Sequence, residues 1–198
     1  MTKKQENPIT LFDQWFKEAK NKGIAEPNAV NLATADKKGR PSNRMVLVKD
    51  YNEEGFVFYT NLDSKKGQNI KENPYVSMCF FWPETDKQVR IEGKVKKVSD
   101  KVADEYFDSR ALKSRIGAIV SKQSQKIKEN NFDIFKNSTL EAFKLLATKG
   151  IKRPDNWSGF CLVPDRVEFW QRGEFRIHKR TSYERDDKGN WNVSFLYP

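Results

Sequence analysis

From residue 28 onward the chain is dominated by short apolar segments of period two separated by turn-forming clusters, and no other feature constrains the fold as strongly. Residues 29–34 alternate, a Lys37-Lys-Gly-Arg-Pro41 turn follows, and within 43–49 Arg44, Val46 and Val48 alternate with Met45, Leu47 and Lys49. These read as a strand pair. The Asn52-Glu-Glu-Gly55 turn leads to a third strand at 56–60, which ends in the hydroxyls of Tyr59 and Thr60. Two more strands are expected at 75–82 and 88–98, and the near-continuous apolar content of the first predicts burial on both faces. The last forty residues return to the pattern: strands at 157–163 and 166–170 around a Pro164-Asp165 turn, a strand at 176–185, a hairpin turn at 186–190, and a strand at 191–196.

Helical spacing is confined to a few places. Leu11, Phe12, Trp15, Phe16 and Ala19 predict an amphipathic helix over 8–22, with Pro8 in its first turn and Gly23 as its stop. Ser64 is a candidate cap for a helix reaching Glu72, Ser99-Asp100 caps another, and 112–120 reads as one more. The polar, lysine-rich stretch 121–137 reads as a surface loop, followed by a helix at 140–148. Many short strands with few inserted helices predict a mainly β (α+β) protein, a small closed or nearly closed barrel with peripheral helices. A chain of 198 residues suits one domain over 1–198, with 1–7 as a flexible N-terminus.

Charge gives the sign of the partner. The 37 Lys and Arg exceed the 27 Asp and Glu by 37 − 27 = 10, which favours nucleic acid, an acidic membrane surface or phosphorylated small molecules. Five arginines (Arg166, Arg172, Arg176, Arg180, Arg185) fall within one stretch of twenty residues, and a guanidinium fork suits phosphate. No apolar run is long enough to cross a bilayer, and the first residues lack the apolar stretch of a signal peptide, so a soluble cytoplasmic protein is expected. Cys79 and Cys161 lie in strand-like apolar runs, and with His178 as the lone histidine neither a disulfide nor a metal site is expected.

No Gly-x-Ser-x-Gly, Walker loop or Gly-x-Gly-x-x-Gly appears. Tyr59-Thr60-Asn-Leu-Asp-Ser64-Lys65-Lys66 would bring helix N–H groups and two ammonium groups onto an anion, although an ordinary capped helix with solvated lysines has the same spacing. Arg44 and Lys49, five apart on a strand, should leave opposite faces and not serve one ligand atom. Tyr106 and Arg110, at i and i+4 with Ser114 beyond, could offer a phenol and a guanidinium to one phosphate. Arg176, His178 and Arg180 should alternate onto one face of an extended strand, where burial needs an anionic or polar ligand and a solvated edge needs none.

Read in order, these segments resemble the pyridoxine/pyridoxamine 5′-phosphate oxidases. The resemblance rests on Arg44-Met-Val-Leu-Val-Lys49, Phe58-Tyr-Thr-Asn-Leu-Asp-Ser-Lys-Lys66, Gln88-Val-Arg-Ile-Glu-Gly93, Tyr106-Phe-Asp-Ser-Arg110, Val120-Ser-Lys-Gln-Ser124, Val167-Glu-Phe-Trp-Gln171 and Arg176-Ile-His-Lys-Arg180. Each alone is weak; their order over nearly the whole chain is specific. The resemblance implies an FMN-binding split β-barrel of Greek-key type, as a homodimer with FMN at the subunit interface. It implies FMN contacts from Arg44, Met45, Val46, Leu47, Val48, Lys49, Tyr59, Thr60, Ser64, Lys65, Lys66, Gln88, Gln123, Ser124, Trp170 and Arg180. The substrate phosphate would meet Lys49, Tyr106, Arg110 and Ser114, with Arg176 and His178 as catalytic residues at the pyridine ring. The implied reaction oxidises pyridoxamine 5′-phosphate or pyridoxine 5′-phosphate to pyridoxal 5′-phosphate, with oxygen reduced to hydrogen peroxide and ammonia released from the amine.

Three departures from the family pattern stand out. Lys65 replaces a usual arginine, Phe195 replaces another near the C-terminus, and the N-terminal arm with an Arg-x-x-Tyr element is missing from this sequence. A non-catalytic flavin split barrel and a basic nucleic-acid-binding barrel are the competing readings. The first should lose the substrate residues, which are retained here, and the second should be colourless.

Overall fold

The computed structural model describes residues 7–126, 132–149 and 151–198. The expected flexible 1–7 segment lies outside these except for Asn7, whose side chain accepts from the Ile9 N–H and caps the first helix.

Eight strands form one antiparallel sheet: β1 (Ala29–Ala35), β2 (Pro41–Asn52), β3 (Gly55–Asn61), β4 (Tyr75–Trp82), β5 (Lys87–Lys97), β6 (Trp157–Gln171), β7 (Lys179–Arg185) and β8 (Trp191–Leu196). Their order is β3-β2-β1-β4-β5-β6-β7-β8, and β3 also pairs with β6, so the first six close into a barrel. Within it β4 returns to lie beside β1, which gives the spatial order β4-β1-β2-β3 of a Greek key. The expected mainly β barrel with outer helices is therefore the observed fold. Among the described residues the helices are α1 (Pro8–Asn21), α2 (Lys65–Glu72), α3 (Asp100–Ser109), α4 (Leu112–Val120) and α5 (Phe132–Lys149), none long and apolar enough to cross a membrane.

Helix α1 packs Phe12, Phe16 and Ala19 against the barrel, where the Phe12 ring meets Tyr51, Phe56 and Phe80 edge-on at 4.8–5.1 Å. Val30, Leu32, Phe58, Met78, Ile91 and Leu162 fill the interior from successive strands.

Four local expectations are corrected. Residues 157–171 form one strand, with no turn at Pro164: β6 places Asp165 as an extra residue where the β5–β6 register shifts between Glu92 and Gly93. Such a bulge tolerates proline. Gly93 is required opposite it, since a Cβ there would meet the Val163 carbonyl at 2.2 Å. Helix α5 begins at Phe132, inside the stretch read as a loop, of which 127–131 lie outside the described residues. No glycine or proline interrupts 131–149, so helix can extend through the polar residues. Strand β4 is not buried on both faces, because Tyr75 and Phe81 stand exposed. Finally, β7 starts only at Lys179, after a tight 3-10 turn at Glu174–Arg176.

Candidate active site

Strand β2 runs beside β3, and α2, α3 and α4 gather at their ends around a cavity of about 550 Å³. That volume is within the usual range for small-molecule sites. From β2 the cavity takes Arg44, Met45, Val46, Leu47 and Lys49, from β3 Tyr59, Thr60 and Asn61, and from α2 Lys66. Tyr106, Arg110 and Ser114 come from the α3–α4 region, and Gln123 and Trp157 complete the wall. Arg44 and Lys49 thus line the same space, contrary to the strict alternation expected of them. The β2–β3 register shifts between Val48 and Asp50, at Lys49, while Val48 itself points into the core.

The cations in this cavity have no carboxylate partners among the described residues: Lys66 is buried, Arg44 and Arg110 are half-buried, and Lys49 is exposed. Ser64 caps α2 by accepting from the Gly67 N–H, which turns Lys66 inward. The Lys66 ammonium donates to Thr60 Oγ1 (2.9 Å), Gln123 Oε1 (3.1 Å) and Ser64 Oγ (3.3 Å), all neutral. Burial, and then the nearby Arg44 charge, lower its pKa to about 8. The Arg44 guanidinium donates to Thr34 Oγ1 (2.8 Å), Ser42 Oγ (2.7 Å) and the Leu32 carbonyl (3.2 Å), and burial lowers its pKa too. Asn69, one helical turn beyond Lys66, supports the same hydroxyls by donating to Thr34 Oγ1 and Ser42 Oγ.

At the other side of the cavity Arg110 sits one residue past α3, in extended backbone, not on the helical face shared with Tyr106. Its Nη1 is buried and has no hydrogen-bond partner among the described residues. Burial holds its pKa below the ordinary value. Tyr106 stacks on Tyr59 with ring centroids 3.8 Å apart, and burial raises both phenols, Tyr59 to about 12. A buried ammonium and two half-buried guanidinium groups that lack counter-charges, one with an orphaned buried N–H, are costly in an isolated chain and fit a cavity that receives anions. The donor set therefore fits a phosphorylated cofactor and a phosphorylated substrate.

The remaining site residues predicted from sequence lie elsewhere. Lys65 is exposed and not part of the cavity wall, and Ser124, also exposed and outside the wall, adopts a left-handed φ of 70°. Gln88, Trp170 and Arg180 are cross-strand neighbours on β5, β6 and β7. His178 packs on Trp170 at 4.7 Å, and its Nδ1 accepts from the Gly173 N–H, which leaves the proton of a neutral imidazole on Nε2. Arg176, Arg180 and His178 do not form a row on one strand. Phe175 and Arg176 have φ of 52° and 64°, and this left-handed pair breaks the extension before β7 begins. Arg180 is held by Glu168 at 2.8 Å and donates to the Tyr197 carbonyl at 3.0 Å. At roughly 3.3 Å per residue, the run of β6 from Trp157 to Trp170 covers up to about 40 Å, so this cluster and the cavity are separate places on one chain.

Residues 16–143 match the family model described as pyridoxamine 5′-phosphate oxidase. The chain belongs to the pyridoxine/pyridoxamine 5′-phosphate oxidase family. Residues 157–198 match that family's C-terminal dimerisation region. The oxidase relative from Pelagibacter ubique is 53% identical over 193 residues, covering 97% of this chain and 92% of the relative. Its counterpart from Haemophilus influenzae is 49% identical and covers 98% and 90%. Among solved structures, PhzG from Burkholderia lata 383, in complex with tetrahydrophenazine-1-carboxylic acid, superposes with a TM-score of 0.91 at 29% identity, covering 97% of this chain and 93% of that one. An FMN-binding, pyridoxamine 5′-phosphate oxidase-related protein from Nostoc punctiforme superposes at 0.78 with 20% identity, covering 98% of both, a likeness of fold. Sequence reasoning missed Asn61, Gly117, Ala118, Ser121 and Trp157, which line the cavity, and Asn69, which supports the acceptors of Arg44 behind it. Asn69 alone carried a local signal, as a polar residue three positions from Lys66 on the same face of α2.

Proposed function

We propose that the whole chain, 1–198, acts as a single FMN-binding domain that oxidises pyridoxamine 5′-phosphate and pyridoxine 5′-phosphate to pyridoxal 5′-phosphate. The observation that carries this reading is one cavity lined by two groups of cations unmatched by carboxylates, half-buried Arg44 with buried Lys66, and half-buried Arg110, whose Nη1 is an orphaned buried donor, with exposed Lys49 beside it. Two anions are thereby accommodated side by side. Lys66, Thr60, Ser64 and Gln123 hold the cofactor phosphate, with Lys65 and Ser124 at its rim, and Arg44, Met45, Val46, Leu47 and Lys49 line the flavin, with Val48 behind them in the core. Arg110, Tyr106, Ser114 and Lys49 hold the substrate phosphate, which fixes the substrate's reacting carbon against the cofactor.

Arg176 and His178 orient the pyridine ring and assist proton loss, and they come from the second copy of the chain together with Gln88, Trp170 and Arg180. The separation of this cluster from the cavity supports a homodimer with FMN at the interface. So does the exposed apolar surface of Phe175, Ile177, Val193, Phe195 and Tyr197, all within the dimerisation region. FMN supplies the two-electron acceptor, and oxygen carries the pair away as hydrogen peroxide. The alcohol substrate gives the aldehyde directly, whereas the amine substrate consumes one water and releases ammonia.

The purified protein should be yellow, and pyridoxine 5′-phosphate added without oxygen should bleach the flavin band, which returns on aeration. A yellow protein that does not bleach would leave only a flavin-binding role. A colourless protein that FMN cannot reconstitute would reject the reading.

A further inference from the structure

The Arg110 guanidinium has neither a hydrogen bond nor an ion pair among the described residues, so nothing polar sets its direction. What it does have is an aromatic support. Its centre lies 4.8 Å from the Trp157 ring, with Phe107 farther off at 5.9 Å. The Trp157 ring is 5% exposed and lies nearly parallel to Tyr59 (5.3 Å, 11°) and Tyr106 (6.2 Å, 3°), and Phe107 meets it edge-on. Its backbone is fixed as well. Arg153 donates to the Trp157 carbonyl at 2.8 Å and reaches Asp104 at 2.6 Å and Asp100 at 3.1 Å on α3. One arginine therefore ties the start of α3 to the start of β6, while the Trp157 ring supports the residue just past the end of the same helix.

We propose that Trp157, braced by Arg153, is a positioning residue that aims the Arg110 guanidinium at the substrate phosphate. The inference rests on the assignment of Arg110 to that phosphate. A cation over an indole is held in plane and distance without losing any N–H to a competing acceptor, so all donors of the guanidinium remain available to the ligand. A carboxylate support would compete with the phosphate. An aliphatic one would leave the guanidinium free to rotate, and the entropy of ordering it would fall on substrate binding.

The test uses the FMN-loaded enzyme with pyridoxine 5′-phosphate as substrate and inorganic phosphate as competitive inhibitor. Trp157→Leu should raise KM and the phosphate inhibition constant in parallel, each about tenfold, while kcat stays within about twofold and FMN remains bound. Trp157→Phe, which keeps a weaker ring face, should restore most of both. Arg153→Met should give a smaller rise of the same kind, and this pair carries the test if the leucine variant does not fold. Unchanged KM and inhibition constants in flavin-loaded variants would overturn the proposal, as would losses of kcat and FMN binding without a change in either constant. Arg110→Met separates the two levels of argument. If it leaves KM and phosphate inhibition unchanged, the assignment of Arg110 itself falls; if it raises both while the Trp157 and Arg153 variants do not, only the positioning role falls.

Discussion

At the Trp157 end of β6 Lys66, Arg44 and Arg110 are set among neutral oxygens and aromatic faces, whereas at the Trp170 end Arg180 is already paired to Glu168 and Arg176 is exposed. The first region is lined by six elements of one chain, β2, β3, α2, α3, α4 and β6, and keeps a buried N–H without a partner among the described residues. The second is held by a tight turn with two left-handed residues and surrounded by exposed apolar side chains. Unmatched charge drawn out of water marks a place prepared for an anion, and exposed apolar surface around a tight turn marks a place prepared for another protein surface. The comparison thus divides one proposed active site into two halves that a single chain holds apart.

The largest effect follows from that division. With FMN held at a concentration that fills only the unaltered cavity, Lys66→Met and His178→Ala should each be nearly inactive, yet refolding them together should restore activity. If each site joins the cavity of one copy to the turn of the other, random pairing makes half the dimers hybrids with one intact site of two, or about a quarter of full activity. No recovery on mixing, with dimers confirmed by sedimentation, would break the division outright. Next in size, Lys66→Met alone should weaken FMN binding by about 10- to 100-fold in a flavin fluorescence titration. In the flavin-free protein it should raise the urea midpoint, because a buried, unmatched ammonium is removed.

How much of this was legible beforehand differs between the halves for a physical reason. The caps Ser64 and Ser99, the bounds of α4 and the inward turn of Lys66 follow from local chemistry, and local chemistry is what a sequence displays. The passage of β6 through Pro164 depends on Gly93 across the sheet, and the support of Arg110 depends on Trp157, nearly fifty residues away in the chain. Neither partner leaves a trace in the neighbouring residues. The row expected of Arg176, His178 and Arg180 failed differently. Period-two spacing was present, but the Ile177 carbonyl packs against Gly173, where a Cβ would stand 1.9 Å from it, and the Ile177 N–H donates to the Glu174 carbonyl to close a turn. The family resemblance grouped the residues of both halves without showing that they lie at different ends of a strand.

Of intermediate size, Arg176→Ala and His178→Ala should each lower kcat by about a hundredfold while flavin absorbance and the FMN dissociation constant stay unchanged. Loss of flavin in either variant would shift that turn from chemistry to cofactor binding and sharpen the boundary between the halves.

The smallest effect is a pH dependence confined to the cavity. In the folded, flavin-free protein Lys66 titrates near 8, against an ordinary lysine value of 10.5 expected in the unfolded chain. Between those values the unfolded chain binds a proton that the folded one has released, so its contribution to stability rises as pH increases through the window. This is opposite to the slope of a lysine held by a carboxylate. A bound phosphate reverses the preference by favouring the charged ammonium, so the rise should vanish in the FMN-loaded protein. Urea midpoints at pH 7.5, 8.5 and 9.5, each compared with Lys66→Met to remove every other titrating group, isolate the contribution. The difference between the two proteins should narrow with pH when flavin is absent. A difference that stays constant would mean that the ammonium is not destabilised by its burial, and the cavity would then resemble the paired cations at the far end of β6 more than its geometry implies.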